Sequence, residues 1–500
     1  MVKLDCQGIS GFKMRDLFRQ KGVNMKVQGS KFIQEKRPLL SELLARLLDC
    51  YPYASILAVD SRSKVYAVSK RNMSAGEGSL GTARGFVAKV SDGKHYAEYS
   101  FNMISEEELD SIVEKIGELV ESSDRLLLPG MEESEYLIPE EERTVFTGST
   151  DYKIDPQAMG DEAILEHLRG IKEKGLAFDD KILDCTVRCE YQKYSKLFLS
   201  RDKDMEQNVM WMTGVTAFAA ARGEEIKDYY MSYSNLGGAE LLSRMEADVE
   251  KGAKVTLELL DSEPMVPGEY DCICAPDVTG MIVHEAFGHG VEMDMFVKKR
   301  ALAQKYVGEY VASSLVTMHD GASAASETAT YFFDDEGTMA HDTVVIDKGV
   351  LKQGISDLQS ALILGTEPTG NGRRESYRRK AYTRMTNTYF EGGKDTVEDM
   401  IASVDYGFLL ENPSSGMEDP KNWGIQCMVN IAREIRGGKL TGKIFSPIVL
   451  TGYVPDLLKS ISMMSADAEL NGGGMCGKGY KEWVKVSDGG PYIKARIRLG

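Results

Sequence analysis

A segment with two prolines, DSEPMVPGEY at residues 261–270, separates two parts of the chain with different hydrophobic patterns. Before it, apolar residues recur with helical spacing between strand-like runs. After it, most segments are short, alternate between apolar and polar residues, and are broken by Gly, Asp and Asn. Because proline fixes φ and lacks a backbone N–H, this segment predicts a domain boundary. We therefore predict an α+β chain, with an α/β N-terminal domain followed by a mainly antiparallel, barrel-like β domain.

The predicted domains are an N-terminal extension over residues 1–34, an α/β domain over 35–262 and a β-rich C-terminal domain over 263–500. The extension carries charges and glycines with little periodicity. A second helix is expected where Ser105 and Glu108 match a capping box. The first helix is predicted by a stripe of leucines that share one helical face: Leu39, Leu40, Leu43, Leu44, Leu47 and Leu48.

The composition is that of a globular protein with an acidic surface. Of the 500 residues, 42% are hydrophobic, and 77 acidic against 60 basic side chains give a net charge of -17. This charge repels polyanions, so direct nucleic-acid binding is not expected. The N-terminus lacks the apolar core of a signal peptide, and no segment offers about 18 consecutive apolar residues for a membrane span. We expect a soluble, cytoplasmic protein.

The eight cysteines are spread thinly, which favours a reducing compartment over a disulfide framework. The segment from Leu183 to Tyr191 alternates between apolar and polar residues. Cys185 and Cys189 are therefore expected on the buried face of one strand. The two cysteines of YDCICAP, residues 270–276, follow the same pattern. We expect all four to pack in the core rather than to bind a metal.

The motif HEAFGH, residues 284–289, combines residue types that suit metal-assisted hydrolysis. A strand is predicted before it and Asp277 is a good helix N-cap, so the motif is expected on a helix. Zinc accepts imidazole nitrogen, and a Glu beside a ligating His can deprotonate the attacking water. His284 and His289 are therefore candidate ligands and Glu285 the candidate general base. The alternative is two unrelated histidines at a helix end.

The spacing of the two histidines is unusual, because zincins commonly separate them by four residues and here they are five apart. At ~100° per residue, side chains five apart diverge by roughly 140° on an ideal helix, against roughly 40° for four. The helix must therefore deform if both bind one ion. Gly288 and Gly290 tolerate a π-bulge or an early helix end at the second histidine.

A catalytic zinc site usually has three protein ligands and an open position, so a third ligand is needed. Cys476 is the best candidate, because the glycines around it remove side-chain bulk and a metal would lower the pKa of its thiol. These are Gly472, Gly473, Gly474, Gly477 and Gly479. A lone cysteine is more often a small buried hydrophobe, so both interpretations stay open on these residues alone.

Six motifs occur in the order and rough spacing of the TldD/PmbA metallopeptidase family: HEAFGHGVEMD, FDDEGT, PTGNGRRESY, RMTNTY, IASVDYG and GGGMCGKGY. The similarity is strong over residues 264–485 and fainter over 38–250. The chain resembles the zinc-bearing TldD branch rather than the PmbA branch, which lacks the ligand residues.

This resemblance implies a β-rich C-terminal domain that carries one zinc ion (Zn²⁺) on His284, His289 and Cys476, with Glu285 as the general base. It implies a metallopeptidase that hydrolyses extended or unfolded peptides. It also implies a homodimer, or a heterodimer with a PmbA-like subunit. The acidic charge and the lack of a long apolar segment predict no direct nucleic-acid partner and no membrane partner. The alternative is a non-catalytic assembly or chaperone-like subunit with a structural zinc. A DNA-associated regulator, an old label of the family, is disfavoured by the acidity of the chain.

Four further patterns are weaker. Gly76-x-Gly78-x-x-Gly81 matches a dinucleotide fingerprint, but GTARGFVAKV after it predicts a strand rather than a helix. Glu292 and Asp294 could orient an imidazole or belong to a solvated helix end.

Arg373 and Arg374 could hold a substrate carboxylate by forked hydrogen bonds, or pair with the acidic residues of FDDEGT. The hydroxyls of TRMTNTY, residues 383–389, suit an exposed strand that lines a substrate groove or serves structure alone. These alternatives stay open.

Overall fold

The computed structural model describes residues 24–123, 136–479 and 482–500, so most of the predicted extension lies outside the described residues. The N-terminal strands are β1 (Met25–Lys26), β2 (Tyr53–Val68), β3 (Met73–Glu77), β4 (Ala83–Ser91), β5 (Tyr96–Phe101), β6 (Thr144–Ser149), β7 (Asp151–Tyr152), β8 (Ile182–Ser200), β9 (Lys203–Arg222) and β10 (Glu225–Asn235). The helices are α1 (Lys31–Cys50), α2 (Leu109–Ser123), α3 (Pro156–Met159), α4 (Asp161–Leu176) and α5 (Leu241–Leu259).

An antiparallel sheet in the order β10-β9-β8-β2-β4-β5 forms the N-terminal half, and β6 runs parallel to β9. Helices α1 and α2 cover one end of a face of this sheet, and α4 and α5 cover the other end. The leucine stripe is confirmed. Leu40, Leu43, Leu44 and Leu47 are buried against the sheet, and the other two leucines pack partly buried against the same core.

The opposite face of the sheet meets the C-terminal half. Apolar residues of β2 and β8, among them Leu57 and Phe198, pack there against Phe333 and Tyr377. The contact is close enough to require a glycine, because a Cβ on Gly85 would lie 2.4 Å from the Tyr377 ring. Both faces of the N-terminal sheet are therefore covered.

The C-terminal strands are β11 (Gly268–Cys274), β12 (Met318–Asp320), β13 (Thr343–Asp347), β14 (Val350–Leu351), β15 (Gly372–Arg373), β16 (Tyr382–Thr383), β17 (Asn387–Phe390), β18 (Tyr406–Asp419), β19 (Gly424–Arg436), β20 (Lys439–Phe445), β21 (Ile448–Tyr453), β22 (Met463–Met464), β23 (Glu469–Asn471), β24 (Met475–Lys478), β25 (Glu482–Lys485), β26 (Ser487–Gly490) and β27 (Ile493–Leu499). The helices are α6 (Pro276–Ile282), α7 (Met293–Val297), α8 (Leu358–Leu364), α9 (Val397–Ala402) and α10 (Val454–Lys459).

Five of these strands close a barrel in the order β11-β18-β19-β21-β27, because β27 pairs with both β21 and β11. A second sheet has the order β14-β13-β12-β17-β26-β23, and β24 forms a hairpin with β25. Helix α6 packs between barrel strand β18 and strand β26 of the second sheet. The predicted α+β class with a barrel-like C-terminal half is confirmed, and the motif helix lies between its two β layers.

Several local predictions are wrong. Helix α1 begins at Lys31 with Ser30 as its cap, so residues 31–34 belong to the helix rather than to an extension. The Ser105 side chain makes no capping hydrogen bond, because a 3₁₀ turn precedes α2. Leu183 is exposed, since the β8 register shifts between Ile182 and Asp184.

Other predictions of packing are confirmed. Cys185 and Cys189 are buried, as are the two cysteines of β11. GTARGFVAKV contains β4, not a phosphate-binding helix.

The hydroxyls of TRMTNTY, however, are buried rather than exposed, and Thr386 and Thr388 donate to the Asp320 carboxylate. None of the helices in the described ranges is both long and apolar enough to cross a bilayer.

Candidate metal centre

Helix α6 begins with Pro276, whose fixed φ suits the first helical turn. Its N-cap is Ala275, so the prediction that Asp277 caps this helix is wrong. The Asp277 carboxylate instead accepts hydrogen bonds from the backbone N–H groups of Val278 at 2.8 Å and Asn412 at 3.0 Å. Burial raises the pKa of Asp277 to about 6. This carboxylate thus ties the start of the motif helix to barrel strand β18.

The predicted deformation of the motif helix is confirmed. Residues Val283–Gly288 form a π-helix, and a 3₁₀ turn follows over His289–Val291. The backbone N–H of His289 donates to the carbonyl of His284. In a π-turn, residues five apart lie one above the other, so this turn brings the two imidazoles to one side. Their ring centroids are 5.1 Å apart and the rings are perpendicular.

Close packing explains the two glycines of the motif. A Cβ on Gly288 would lie 2.1 Å from the sulfur of Met385, and a Cβ on Gly290 would lie 2.8 Å from Glu418 Oε1. The two glycines therefore allow the segment just before strand β17, and strand β18, to contact the distorted helix directly.

Strand β24 carries Cys476 to the two histidines. The Cys476 Sγ lies 3.6 Å from His289 Nε2. One potential ligand atom from each of His284, His289 and Cys476 lies within 4.8 Å of the others, and among the described residues these three form the group that could hold a metal ion. His284 and Cys476 are buried, at 6% and 3% exposure. The structure thus brings together the three residues that the sequence singled out.

The glycines before Cys476 serve a different purpose from the one expected. A Cβ on Gly472 would lie 1.9 Å from Thr328 Oγ1, and a Cβ on Gly473 would lie 2.0 Å from Ser232 Oγ. These glycines allow the loop to pass close to the N-terminal half and to the loop at Thr328. They position the start of β24 rather than clear space around the thiol.

Glu285 is half-buried between the histidine helix and the barrel. Its side chain lies against Gly416 of β18, where a Cβ would come 2.4 Å from Glu285 Cγ. Burial is the main cause that raises the pKa values of the neighbouring Asp488 and Glu418 carboxyls, and the negative charge of Glu285 raises both further. Glu285 therefore sits in an acidic cluster beside the imidazoles.

In the metal-free site, the electrostatics favour the thiolate of Cys476 but also favour the protonated forms of the two imidazoles, which must lose their protons when a metal binds. Burial opposes ionisation of Cys476, but the two imidazoles outweigh it and lower the pKa of the thiol well below its usual value. Burial lowers the pKa of His289, but Cys476 and Glu292 raise it well above its usual value. A thiolate is the form of cysteine that binds metals.

The donor set fits a zinc ion, which accepts imidazole nitrogen and thiolate sulfur. His284 Nδ1 is buried without a hydrogen-bond partner, and the nearest Asp488 carboxylate oxygen is 3.9 Å away. Such an unpaired buried nitrogen is uncommon in native proteins, and a bound ion is one partner that would satisfy it.

Of the two candidate orienting carboxylates, only Glu292 contacts an imidazole. Its Oε2 lies 3.3 Å from His289 Nδ1. Asp294 instead accepts hydrogen bonds from Lys478 at 2.7 Å and from Lys298 at 3.1 Å. Lys478 was not predicted from the sequence, although this residue lies two positions after Cys476 in the same motif.

Both arginines of GNGRRESY are structural. Arg373 donates to the carbonyls of Met385 and Lys485. Arg374 forms a bidentate ion pair with Glu98, at 2.9 and 2.7 Å. Neither guanidinium group hydrogen-bonds the acidic residues of FDDEGT, the structural alternative left open above, although the backbone N–H of Arg374 donates to Asp335. Because both forks are used, neither is available to a substrate carboxylate in this arrangement.

Comparisons with known proteins agree with this geometry. The family described as "PmbA/TldA metallopeptidase C-terminal domain" matches residues 267–497. A metalloprotease from Methanothermobacter thermautotrophicus is 30% identical over 324 residues, which cover 63% of this chain and 69% of that protein. The chain belongs to the TldD/PmbA family.

Other members of the TldD/PmbA family match over a smaller share of their length. A metalloprotease TldD homolog from Buchnera aphidicola is 33% identical over 246 residues, 49% of this chain and 50% of that protein. The match thus spans about half the length of this relative. A zinc metalloprotease TldD homolog from Saccharolobus solfataricus is 29% identical over 261 residues, 52% of this chain and 57% of that protein.

The fold also matches a solved structure of low sequence identity. A protein from Thermotoga maritima, described as a putative modulator of a DNA gyrase, superposes with a TM-score of 0.73 at 16% identity. The match covers 92% of this chain and 100% of that one. The two proteins therefore share the whole architecture, N-terminal sheet included.

Proposed function

We propose that this protein is a zinc metallopeptidase that hydrolyses extended or unfolded peptides, with zinc held by His284, His289 and Cys476 and with Glu285 as the general base. One observation carries the proposal: the π-turn and strand β24 bring three donor atoms within 4.8 Å of one another. The metalloprotease names of the relatives and the zinc in the name of the Saccharolobus solfataricus protein support it.

In this mechanism, Glu285 takes a proton from the attacking water as its oxygen bonds to the scissile carbonyl carbon. Glu285 then passes that proton to the leaving amine as the C–N bond breaks. The chemistry that zinc supplies when bound is Lewis acidity, which polarises a carbonyl and lowers the pKa of water. Gly416 leaves room for the Glu285 side chain to lie against the barrel, because a Cβ at this position would collide with it.

The rival proposal is a non-catalytic assembly or chaperone-like subunit with a structural zinc. Structural zinc sites normally have four protein ligands, whereas catalytic ones have three and an open position. The donor group among the described residues has three side chains. This count favours catalysis.

An extended substrate suits the strand that carries Cys476. Strand β24 pairs with β25 on one side, and no other described strand pairs with its second edge. A peptide could add to short free edges of this kind by backbone hydrogen bonds, as in β-augmentation. A folded protein does not offer such a free strand.

The proposal includes a cytoplasmic location and a dimer, either homomeric or with a PmbA-like chain. The cysteines of the described residues are free thiols, as a reducing compartment requires. Light scattering across micromolar concentrations, with and without a PmbA-like partner, tests the dimer. A monomer under every condition would overturn it.

The test of the function compares a flexible peptide with the same segment held inside a stable folded domain. We expect the flexible peptide to be cleaved, the folded segment to resist, and a zinc chelator to abolish cleavage. Equal cleavage of both substrates would contradict the substrate class. Cleavage that persists after complete metal removal would contradict the zinc mechanism.

A further inference from the structure

We propose that Lys478 is a positioning residue that locks the Cys476 strand to His289 through Glu292, and so sets the affinity of the zinc site. This inference rests on the proposed metal centre. It concerns residues that bind no metal themselves but join the two chain segments that supply the ligands.

Lys478 lies on β24 two residues after Cys476, and its ammonium group is fully engaged. Its Nζ donates to Glu292 Oε2 at 3.0 Å, to Asp294 Oδ1 at 2.7 Å and to the Thr383 carbonyl at 2.9 Å. An ammonium has three N–H donors, so these contacts satisfy all of them. The Lys478 side chain is 13% exposed and that of Glu292 is 2% exposed, so solvent screens the pair little.

Glu292 connects Lys478 to the imidazole of His289. The same carboxylate oxygen that accepts from Lys478 lies 3.3 Å from His289 Nδ1, and the other nitrogen of that ring faces Cys476. A carboxylate on the far nitrogen of a ligating histidine fixes the orientation of the ring and raises its basicity. Lys478 in turn fixes the carboxylate. One chain of contacts therefore joins Cys476 to His289 behind the ligand atoms.

Arg384 holds the other side of the Cys476 hairpin. Its guanidinium is fully buried and donates to the carbonyls of Cys476 at 2.5 Å and Glu482 at 3.1 Å. These carbonyls belong to the two paired strands, β24 and β25. The backbone of the hairpin is thus fixed by Arg384, and its position relative to the histidine helix is fixed by Lys478.

The experiment measures the zinc dissociation constant by competition with a chelator for the wild type, Lys478→Met and Glu292→Gln. We expect each variant to bind zinc about 10 to 100-fold more weakly, the usual loss when the partner of a ligating residue is removed. Both substitutions break the same chain of contacts. The double variant should therefore bind zinc only slightly more weakly than whichever single variant has the lower zinc affinity.

The matched control is Lys298→Met. Lys298 donates to the other oxygen of the Asp294 carboxylate at 3.1 Å but has no bond to Glu292, and its side chain is 47% exposed. This control should keep the wild-type zinc affinity. The thermal midpoints of the metal-free proteins are measured alongside, since a purely structural role would lower the midpoint and leave the affinity unchanged.

Wild-type zinc affinity in Glu292→Gln, or in a folded Lys478→Met, would overturn the positioning role. An equal loss of affinity in Lys298→Met would also overturn it, because the effect would then come from Asp294 or from general charge. A wild-type protein that binds no zinc would instead contradict the proposed function, so the two failures are distinguishable.

Discussion

Two clusters of buried charge in this molecule are built differently. Between the N-terminal sheet and the C-terminal half, Arg374 pairs with Glu98, Lys89 with Glu336, and Lys196 with Asp335. At the metal centre, several buried polar atoms have no hydrogen-bond partner: His284 Nδ1, Glu292 Oε1 and both carboxylate oxygens of Glu418.

The difference separates a cluster of paired charges from the proposed metal centre. A buried charge is tolerated when it is paired, and each carboxylate of the interface cluster has a cation beside it, although Arg374 Nε is itself buried without a hydrogen-bond partner. Unpaired buried groups cost stability and persist where function requires them. If this comparison is right, substitutions at the interface should change stability, and substitutions at the centre should change zinc binding and hydrolysis.

The largest effect is expected at the centre. Glu285→Gln keeps the shape of the side chain but removes the basic carboxylate, so hydrolysis should fall about 10² to 10⁴-fold while the zinc content stays unchanged. Peptide cleavage and elemental analysis on the same preparations measure this. Cleavage by the variant at the wild-type rate would remove Glu285 from the role of base.

The sequence predicted this residue and its neighbours because each had a recognisable chemical type at a constrained spacing. His284 and His289 were five residues apart, which demanded a distorted helix, and the π-turn is present. The resemblance supplied Cys476, which spacing alone left ambiguous. Lys478 and Asp488 were not predicted, because their roles depend on strand pairings and loop contacts distant in the sequence.

The second effect is expected at the interface. Arg374→Met leaves the Glu98 carboxylate buried without its bidentate partner, so the free energy of unfolding should fall by about 3 to 5 kcal/mol. Zinc content should not change. Chemical denaturation measures the loss, and Arg169→Met is the control, because its pair with Glu166 is about half exposed and should contribute under about 1 kcal/mol. Equal losses in both variants would contradict the comparison.

The sequence did not predict this interface pair, since Glu98 and Arg374 lie in different halves and only the folded chain brings them together. The acidic residues of FDDEGT were one of two alternatives that the sequence left open for Arg374. The same limitation explains Leu183, where a shift in strand register reversed the predicted alternation. Patterns within one element were predictable, and pairings between elements were not.

The smallest effect concerns pH. Burial would raise the pKa of Glu98, but Arg374 and Lys89 outweigh it and lower that pKa to about 2 from its ordinary 4.5. The stabilisation is therefore complete above about pH 4.5 and is lost as the pH falls towards 2. The difference in unfolding free energy between wild type and Arg374→Met should shrink over that range. A difference that stays constant down to the lowest pH at which both fold would show that charge pairing is not its cause.

The most direct test of the central claim is a titration of metal-free protein with zinc, in which bound zinc and peptide hydrolysis are measured together. We predict that hydrolysis is absent without metal and rises in proportion to bound zinc. It should reach its plateau at one zinc ion per chain, and Cys476→Ser should fail to reach that plateau at the same free zinc. Full hydrolysis by the metal-free protein, or wild-type zinc binding by Cys476→Ser, would contradict the claim.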